Sequence, residues 1–298
     1  MEYRTLKTMA NTVKIAIALL IAFTVISFSA GAVTAHGAKR DYSFATCAES
    51  AIVIRQGDCR VFFEKNADKQ LPIASTTKIL TAITVIENTP DLNTVVTVPD
   101  AAVGVEGSSI YLLKGEQLRV IDLLYGLMLQ SGNDCAAALA IITAGSIDAF
   151  AALMNETAEK AGAGGCNFTN PHGLHDDRHY CSARDLAKIT LYAMGSEMFR
   201  SIVSTEVYKD CTYAERDYNR VIKNKNKILQ MLEGGDGVKT GYTKKAGRCL
   251  VSSATRDGAT VISVVLNCGP MFEESCALID KAFDIIFAER GELNHLLK

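Results

Sequence analysis

The stretch Ala74-Ser75-Thr76-Thr77-Lys78-Ile79-Leu80-Thr81 constrains this chain more than any other. It reads as the first turn of an amphipathic helix, with Ile79, Leu80, Ile83 and Ile86 on one apolar stripe and Pro90 and Asp91 as the stop. Ser75 lies near the N-terminal end and Lys78 three residues on, a spacing that puts both side chains on one helix face. A hydroxyl and an amine that meet there can work as nucleophile and base. The hydroxyl also sits where backbone N–H groups lack intrahelical partners and can receive developing negative charge. By itself Ser-X-X-Lys equally fits a capped helix with a solvated lysine, so its meaning depends on what the rest of the chain supplies.

The first residues speak to location. Arg4, Lys7 and Lys14 form a positive region, Ile15 to Ala30 is almost continuously apolar, and small residues follow through Ala32 and Ala35. This is the pattern of a secretory signal, with Ala30-Gly31-Ala32 or Val33-Thr34-Ala35 as cleavage sites. An uncleaved membrane anchor is the second reading, because the run approaches a bilayer-spanning length. Either reading of residues 1–35 places residues 36–298 outside the cytoplasm. That remainder is long enough to bury a sizeable core in one or two lobes. A net charge of −2 and the lack of any nucleic-acid-binding motif argue against a nucleic-acid partner. The nine cysteines are an odd number without a CxxC pair, and several sit in apolar surroundings such as Cys249-Leu250-Val251. They are expected to be mostly reduced and buried, without the paired spacing of a zinc site.

Along the chain, Ala51 to Ile54 and Arg60 to Phe63 flank Gln56-Gly57-Asp58 as a β-hairpin. Short strands and turns fill residues 92–118, and helices follow at Leu118–Leu129, Ala136–Ile142, Asp148–Ala161 and Asp185–Met194. Between the first two of these lies Gln130-Ser131-Gly132-Asn133-Asp134. That turn is either a plain connector with a cap for the next helix or a projection of Ser131 and Asn133 into a cleft. The loop Asn167 to His175, with His179 beyond it, carries three histidines without organised carboxylate or cysteine partners, which is a poor metal set. A polar connection is expected from Ser204 to Lys227. Gly234 to Thr243 then reads as glycines leading into a strand, with Lys239 and Gly241 on one side of the pleat and Thr240 on the other. Strands at Cys249–Ala254 and Thr260–Leu266 and a helix at Phe272–Ala288 close the chain.

Ser75-X-X-Lys78, Ser131-Gly132-Asn133 and Lys239-Thr240-Gly241, in that order, resemble the three motifs of penicillin-binding proteins and serine β-lactamases. Ile73 to Lys78, Leu129 to Asp134, Asn170-Pro171-His172-Gly173-Leu174 and Asp236 to Thr243 narrow the likeness to the low-molecular-mass D-alanyl-D-alanine carboxypeptidases, over roughly residues 45–290. The resemblance implies an α/β (α+β) fold: an antiparallel sheet flanked by helices, with an inserted helical lobe and the site between them. The hairpin at 51–63 and the strands at 238–266 would share that sheet. It accounts for the histidine loop without a metal and calls for no cofactor. Many relatives carry a further C-terminal β-rich domain and a terminal membrane helix. This chain, ending at Lys298, is expected to consist of the catalytic domain alone after residue 35, with any membrane contact through the N-terminal segment.

The chemistry implied by the resemblance is attack by Ser75 on the carbonyl between two D-alanines of a peptidoglycan stem peptide. Lys78 would act as base with its pKa lowered by burial or by Lys239. Backbone N–H groups of Ser75 and Tyr242 would form the oxyanion hole, and Gly241 and Tyr242 would belong to the substrate-binding strand. Ser131 would relay a proton to the leaving D-alanine, Asn133 would hold the peptide, and Lys239 and Thr240 would face its carboxylate. β-Lactams would act as covalent inhibitors, because the Glu-X-X-Leu-Asn segment of fast-deacylating β-lactamases is missing between Asn133 and Lys239. One departure is Met271, where relatives often place an arginine that assists carboxylate binding, with Arg248 as a substitute cation. The alternatives are an endopeptidase using the same residues and a non-catalytic wall-binding module on the same fold.

Overall fold

The computed structural model describes residues 43–209 and 220–296; the expected signal or anchor at residues 1–35 and Cys211 lie outside the described residues. Strands β1 (Ser50–Arg55) and β2 (Val61–Lys65) form the expected hairpin, turned at Gly57 with φ +105°. A 3-10 turn, Ala74–Thr77, leads into helix α1 (Lys78–Asn88). Two short strands, β3 (Val95–Thr97) and β4 (Gln117–Arg119), pair with each other ahead of α2 (Val120–Leu129). Helices α3 (Asn133–Ala144), α4 (Ile147–Lys160), α5 (Ala183–Ala193) and α6 (Glu197–Ser204) follow. After them come the hairpin strands β5 (Val207–Lys209) and β6 (Val221–Lys223), then the single-turn α7 (Ile228–Met231). The long strands β7 (Gly235–Thr243), β8 (Gly247–Arg256) and β9 (Ala259–Leu266) precede the last helix, α8 (Met271–Leu296).

The main sheet is antiparallel in the order β2-β1-β9-β8-β7, so the N-terminal hairpin and the C-terminal strands do share it. Its central strand, β9, is buried from Val261 to Leu266 because helices cover both faces. The period-2 alternation sorts its side chains. Ile52, Ile54, Ile262 and Val264 join the core beneath the helical lobe, whereas Ala51, Val53, Val261 and Val265 meet Leu278, Ile279, Phe283 and Ile286 of α8. Each fully buried aliphatic or phenyl side chain contributes about 1.5–3 kcal/mol relative to an exposed one, so these two layers dominate the stability of the sheet.

Three details differ from the sequence expectations. Helix α1 is not amphipathic: Lys78 to Val85 are all buried, because α3, α4, α5 and the sheet-side elements enclose it. Helix α6 fills the stretch between Met194 and Ser204, for which no element is expected, and the polar connection after it contains the paired strands β5 and β6. Ser196 caps α6 by accepting from Phe199 N at 3.3 Å, a local signal that the sequence carries. Finally, four of the eight described cysteines are buried, but Cys47 and Cys59 are exposed.

Candidate active site

Sequence puts small and polar residues at the tightest point of the molecule. Ala74 adopts φ +49°, a left-handed conformation that costs a non-glycine residue of order 1–3 kcal/mol, and so turns the chain sharply before Ser75. Ser75, Thr76 and Thr77 complete the 3-10 turn, in which residues three apart are eclipsed. The hydroxyls of Thr76 and Thr77 donate back to Ile73 O (2.6 Å) and Ala74 O (2.8 Å). Strand β7 presses on the same turn from outside. A Cβ at Gly241 would stand 2.9 Å from Ser75 N and 3.0 Å from Thr76 N, so only glycine lets the strand approach this closely.

The Lys78 side chain is fully buried. Its Nζ lies 3.0 Å from Ser75 Oγ, 2.7 Å from Asn133 Oδ1 and 2.7 Å from His172 O. The Asn133 amide is oriented by Nδ2, which donates to Glu106 O, so Oδ1 is the atom facing the lysine. A buried ammonium would cost several kcal/mol after relaxation. Burial first, and the positive charge of Lys239 second, accordingly hold the Lys78 pKa well below its ordinary value. A neutral amine has two N–H donors and one lone pair. Asn133 Oδ1 and His172 O are acceptors and take both N–H groups, which leaves the lone pair for the Ser75 hydroxyl proton. The geometry is that of a nucleophile already paired with its base.

Ser131 stands in the turn between α2 and α3 with φ +62°, nearly buried. The next residues explain the tightness of the turn. A Cβ on Gly132 would meet Asp134 Oδ1 at 2.8 Å and Cys135 Sγ at 2.9 Å, and one on Gly107 would meet Asn133 Nδ2 at 2.7 Å. Asp134 is the hub: its carboxylate accepts from Ser109 Oγ (2.6 Å), Ile110 N and Leu112 N (both 3.1 Å) and Cys135 N (2.9 Å). It therefore fastens the 106–112 loop to the turn that carries Ser131 and Asn133.

On β7, Lys239 is buried and donates to Thr240 O at 3.0 Å, while Thr240 is half-buried and Tyr242 is 64% exposed at the rim. Burial, followed by the charge of Lys225, lowers the Lys239 pKa to about 7. Ser75, Lys78 and Asn133 thus form one hydrogen-bonded cluster, with Gly241 against its backbone and Lys239 acting on Lys78 through charge. Ser131 joins through the backbone of its turn.

The three histidines of the 167–179 stretch make contacts within the protein. His172 contributes its carbonyl oxygen, His175 pairs with Asp177 at 3.2 Å, and the His179 ring contacts Thr77 Oγ1 at 2.8 Å. Asn170 shapes this loop by accepting from Gly173 N at 2.8 Å. Sequence reasoning missed the His172 carbonyl and the hub role of Asp134, since a backbone acceptor leaves no trace in residue identity. Met271 starts α8, half-buried against the α8-side core, and Arg248 Nη1 donates to Gly269 O at 3.1 Å, just before that helix.

The family model described as D-alanyl-D-alanine carboxypeptidase matches residues 35–269. The D-alanyl-D-alanine carboxypeptidase DacF of Bacillus subtilis (strain 168) is 32% identical over 275 residues, covering 91% of this chain and 70% of its own length. The DacA carboxypeptidase of Escherichia coli (strain K12) is 37% identical over 233 residues, 74% of this chain and 56% of its own length. Among solved structures, the Streptomyces K15 DD-transpeptidase superposes with a TM-score of 0.74 at 32% identity, over 82% of this chain and 98% of that one.

Proposed function

The chain belongs to the D-alanyl-D-alanine carboxypeptidase family, and from that premise we propose how its site performs serine-type removal of the terminal D-alanine from peptidoglycan stem peptides. The observation that carries the reading is the buried Lys78 amine, its pKa lowered, held by Asn133 Oδ1 and His172 O and lying 3.0 Å from Ser75 Oγ. Ser75 Oγ attacks the carbonyl carbon of the penultimate D-alanine while its proton passes to Lys78 Nζ. The oxyanion forms beside Ser75 N–H and Tyr242 N–H, on the strand edge that Gly241 brings against the nucleophile. Ser131 passes its hydroxyl proton to the nitrogen of the departing D-alanine as the C–N bond breaks and takes in return the proton held on Lys78 Nζ. Asn133 anchors the peptide, and Lys239 and Thr240 face its terminal carboxylate. Water then attacks the acyl carbonyl and gives a proton to Lys78 Nζ; the ester bond to Ser75 breaks, and that proton passes from Lys78 to Ser75 Oγ.

A β-lactam enters the same path, since its strained amide acylates Ser75 and its leaving nitrogen stays tethered. The substrate places the active chain on the wall side of the cytoplasmic membrane, and residues 1–35 would deliver it there as a cleaved signal or an anchor. Met271 favours a second reading on the same residues. Without a guanidinium at that position, the grip on a free carboxylate is weaker, and a D,D-cross-link lacking that carboxylate becomes a competing substrate.

The deciding experiment measures D-alanine release from a D-Ala-D-Ala-terminated peptide, and cleavage of a cross-linked dimer, by the chain and by Ser75→Ala. Release from the linear peptide that vanishes in the variant is expected. Cleavage of the dimer alone would establish the endopeptidase. Neither activity, together with no covalent penicillin labelling, would overturn the enzymatic reading in favour of a wall-binding module.

A further inference from the structure

His179 reaches the nucleophile turn through its ring, which contacts Thr77 Oγ1. It is buried, belongs to the segment just after the Asn170–Leu174 loop, and has both ring nitrogens engaged. Thr169 N–H donates to Nδ1 at 3.1 Å, so Nδ1 is the acceptor and the neutral ring carries its proton on Nε2. Nε2–H then donates to Thr77 Oγ1 at 2.8 Å. With one lone pair of that hydroxyl occupied, its proton is directed to Ala74 O, 2.8 Å away. Ala74 is the left-handed residue that presents Ser75. Burial holds the ring neutral by lowering its pKa to about 4, which preserves this tautomer at neutral pH.

The same loop grips the site twice more. His172 O receives Lys78 Nζ. Gly173, with φ +80°, lies so close to the turn that a Cβ there would stand 1.9 Å from Ala74 O. The loop is closed at its base by reciprocal backbone hydrogen bonds between Asn167 and Tyr180 (2.9 and 3.0 Å). The His179 ring spans the loop just inside that closure and fastens it to the nucleophile turn, with Phe168 edge-on against the ring at 5.4 Å.

We propose that His179 is a positioning residue for acylation, which locks the Thr77 hydroxyl onto Ala74 O and thereby registers the loop bearing the His172 carbonyl with the Ser75–Lys78 pair. It rests on the acyl-enzyme reading above. Its effect is on the geometry of the reacting pair, where displacements of about 1 Å cost about a hundredfold in rate. Substrate contacts lie elsewhere, so the loss belongs in the acylation step and not in binding.

The test uses the chain and its His179→Ala, His179→Gln, Thr77→Val and His179→Ala/Thr77→Val variants. The readouts are the rate of acylation of Ser75 by a fluorescent penicillin and kcat and KM for D-alanine release, all scaled to the folded fraction from circular dichroism. Expected is a fall of about ten- to a hundredfold in acylation rate and kcat for His179→Ala and for Thr77→Val, with little change in KM. The double variant should be no slower than the slower single variant, because both remove one relay. His179→Gln should stay within about threefold of the parent, since its amide offers a donor to Thr77 and an acceptor to Thr169. Equal acylation by the parent and the folded His179→Ala, multiplicative losses in the double variant, or a Gln variant as slow as Ala would each overturn the proposal. Should His179→Ala not fold, Thr77→Val at the parent rate, or His179→Gln as slow as Thr77→Val, overturns it instead. A parent chain that neither labels nor releases D-alanine would instead break the acyl-enzyme reading on which the proposal stands.

Discussion

At the scale of single residues, the proposed mechanism asks opposite protonation states of two buried lysines, Lys78 and Lys239. Lys78 must be neutral to accept the Ser75 proton, and its pKa is depressed, so activity is lost as pH falls through that value. Lys239 must be charged to face a carboxylate, and its pKa lies at about 7, so its contribution is lost as pH rises through neutrality. The dependence of kcat/KM on pH should therefore be a bell whose alkaline limb lies near neutrality. That limb should move to higher pH in kcat, because a bound carboxylate favours the ammonium. Lys239→Gln should lower the pH of half-activity no further and instead raise the acid limb, since it removes the charge that helps to depress Lys78. A pH–rate profile of the parent and the variant checks both limbs. Gly241 is the other decisive residue. A methyl group there would stand 2.9 Å from Ser75 N, so Gly241→Ala should leave the circular-dichroism spectrum unchanged while slowing penicillin acylation by at least tenfold.

At the scale of elements, the site is made of loops pinned by buried charge. Arg220 pairs with Glu116 at 2.7 Å, both nearly buried, and its Nε donates to Ile110 O at 3.0 Å. Together with Asp134, this pair holds the 106–117 segment against the Ser131 turn. Removing one partner of such a pair strands the other's charge, so Arg220→Ala should lower unfolding free energy by about 3–5 kcal/mol in a denaturant titration. The paired exchange Arg220→Met/Glu116→Leu should recover most of that loss, because it removes both charges. The elements themselves were largely legible in the residues. The hairpin at 51–63, the helices after Leu118, Ala136, Asp148 and Asp185, and the strands after 235 lie within a few residues of their expected bounds, since period-2 and helical patterns depend on local chemistry alone. Helix α1 reads as amphipathic in the sequence because Lys78, Thr81 and Thr84 imitate a polar face, although all three are buried among neighbouring elements.

At the scale of the whole molecule, acylation and release are separate problems. The proposed site assembles a nucleophile, Ser75, a base, Lys78, and a cation, Lys239, and the chain lacks between Asn133 and Lys239 the glutamate-bearing segment that drives fast ester hydrolysis in β-lactamases. Penicillin should therefore label the chain once, at Ser75, and inhibit it stoichiometrically. Intact-protein mass spectrometry should find the adduct persisting long after free drug is removed, and rapid recovery of the unmodified mass would contradict this.

The three motifs, their order and the residue types around them pointed to the chemistry, because a hydroxyl and an amine three residues apart share a helix face and the two later motifs supply what that pair alone leaves open. Residue identity also set the strand alternation that divides the core into two layers, and the glycines at 173 and 241 that permit close backbone approach. The tertiary structure alone decided which partners complete the site. His172 acts through a carbonyl that every residue possesses. Asp134 acts through backbone amides of a loop more than twenty positions away. The Lys78 pKa is lowered first by burial under the helical lobe and then by the charge of Lys239, brought in on the edge strand of the sheet. Desolvation and charge proximity depend on what lies nearby in space, and that is settled when the first hairpin and the last three strands join one sheet.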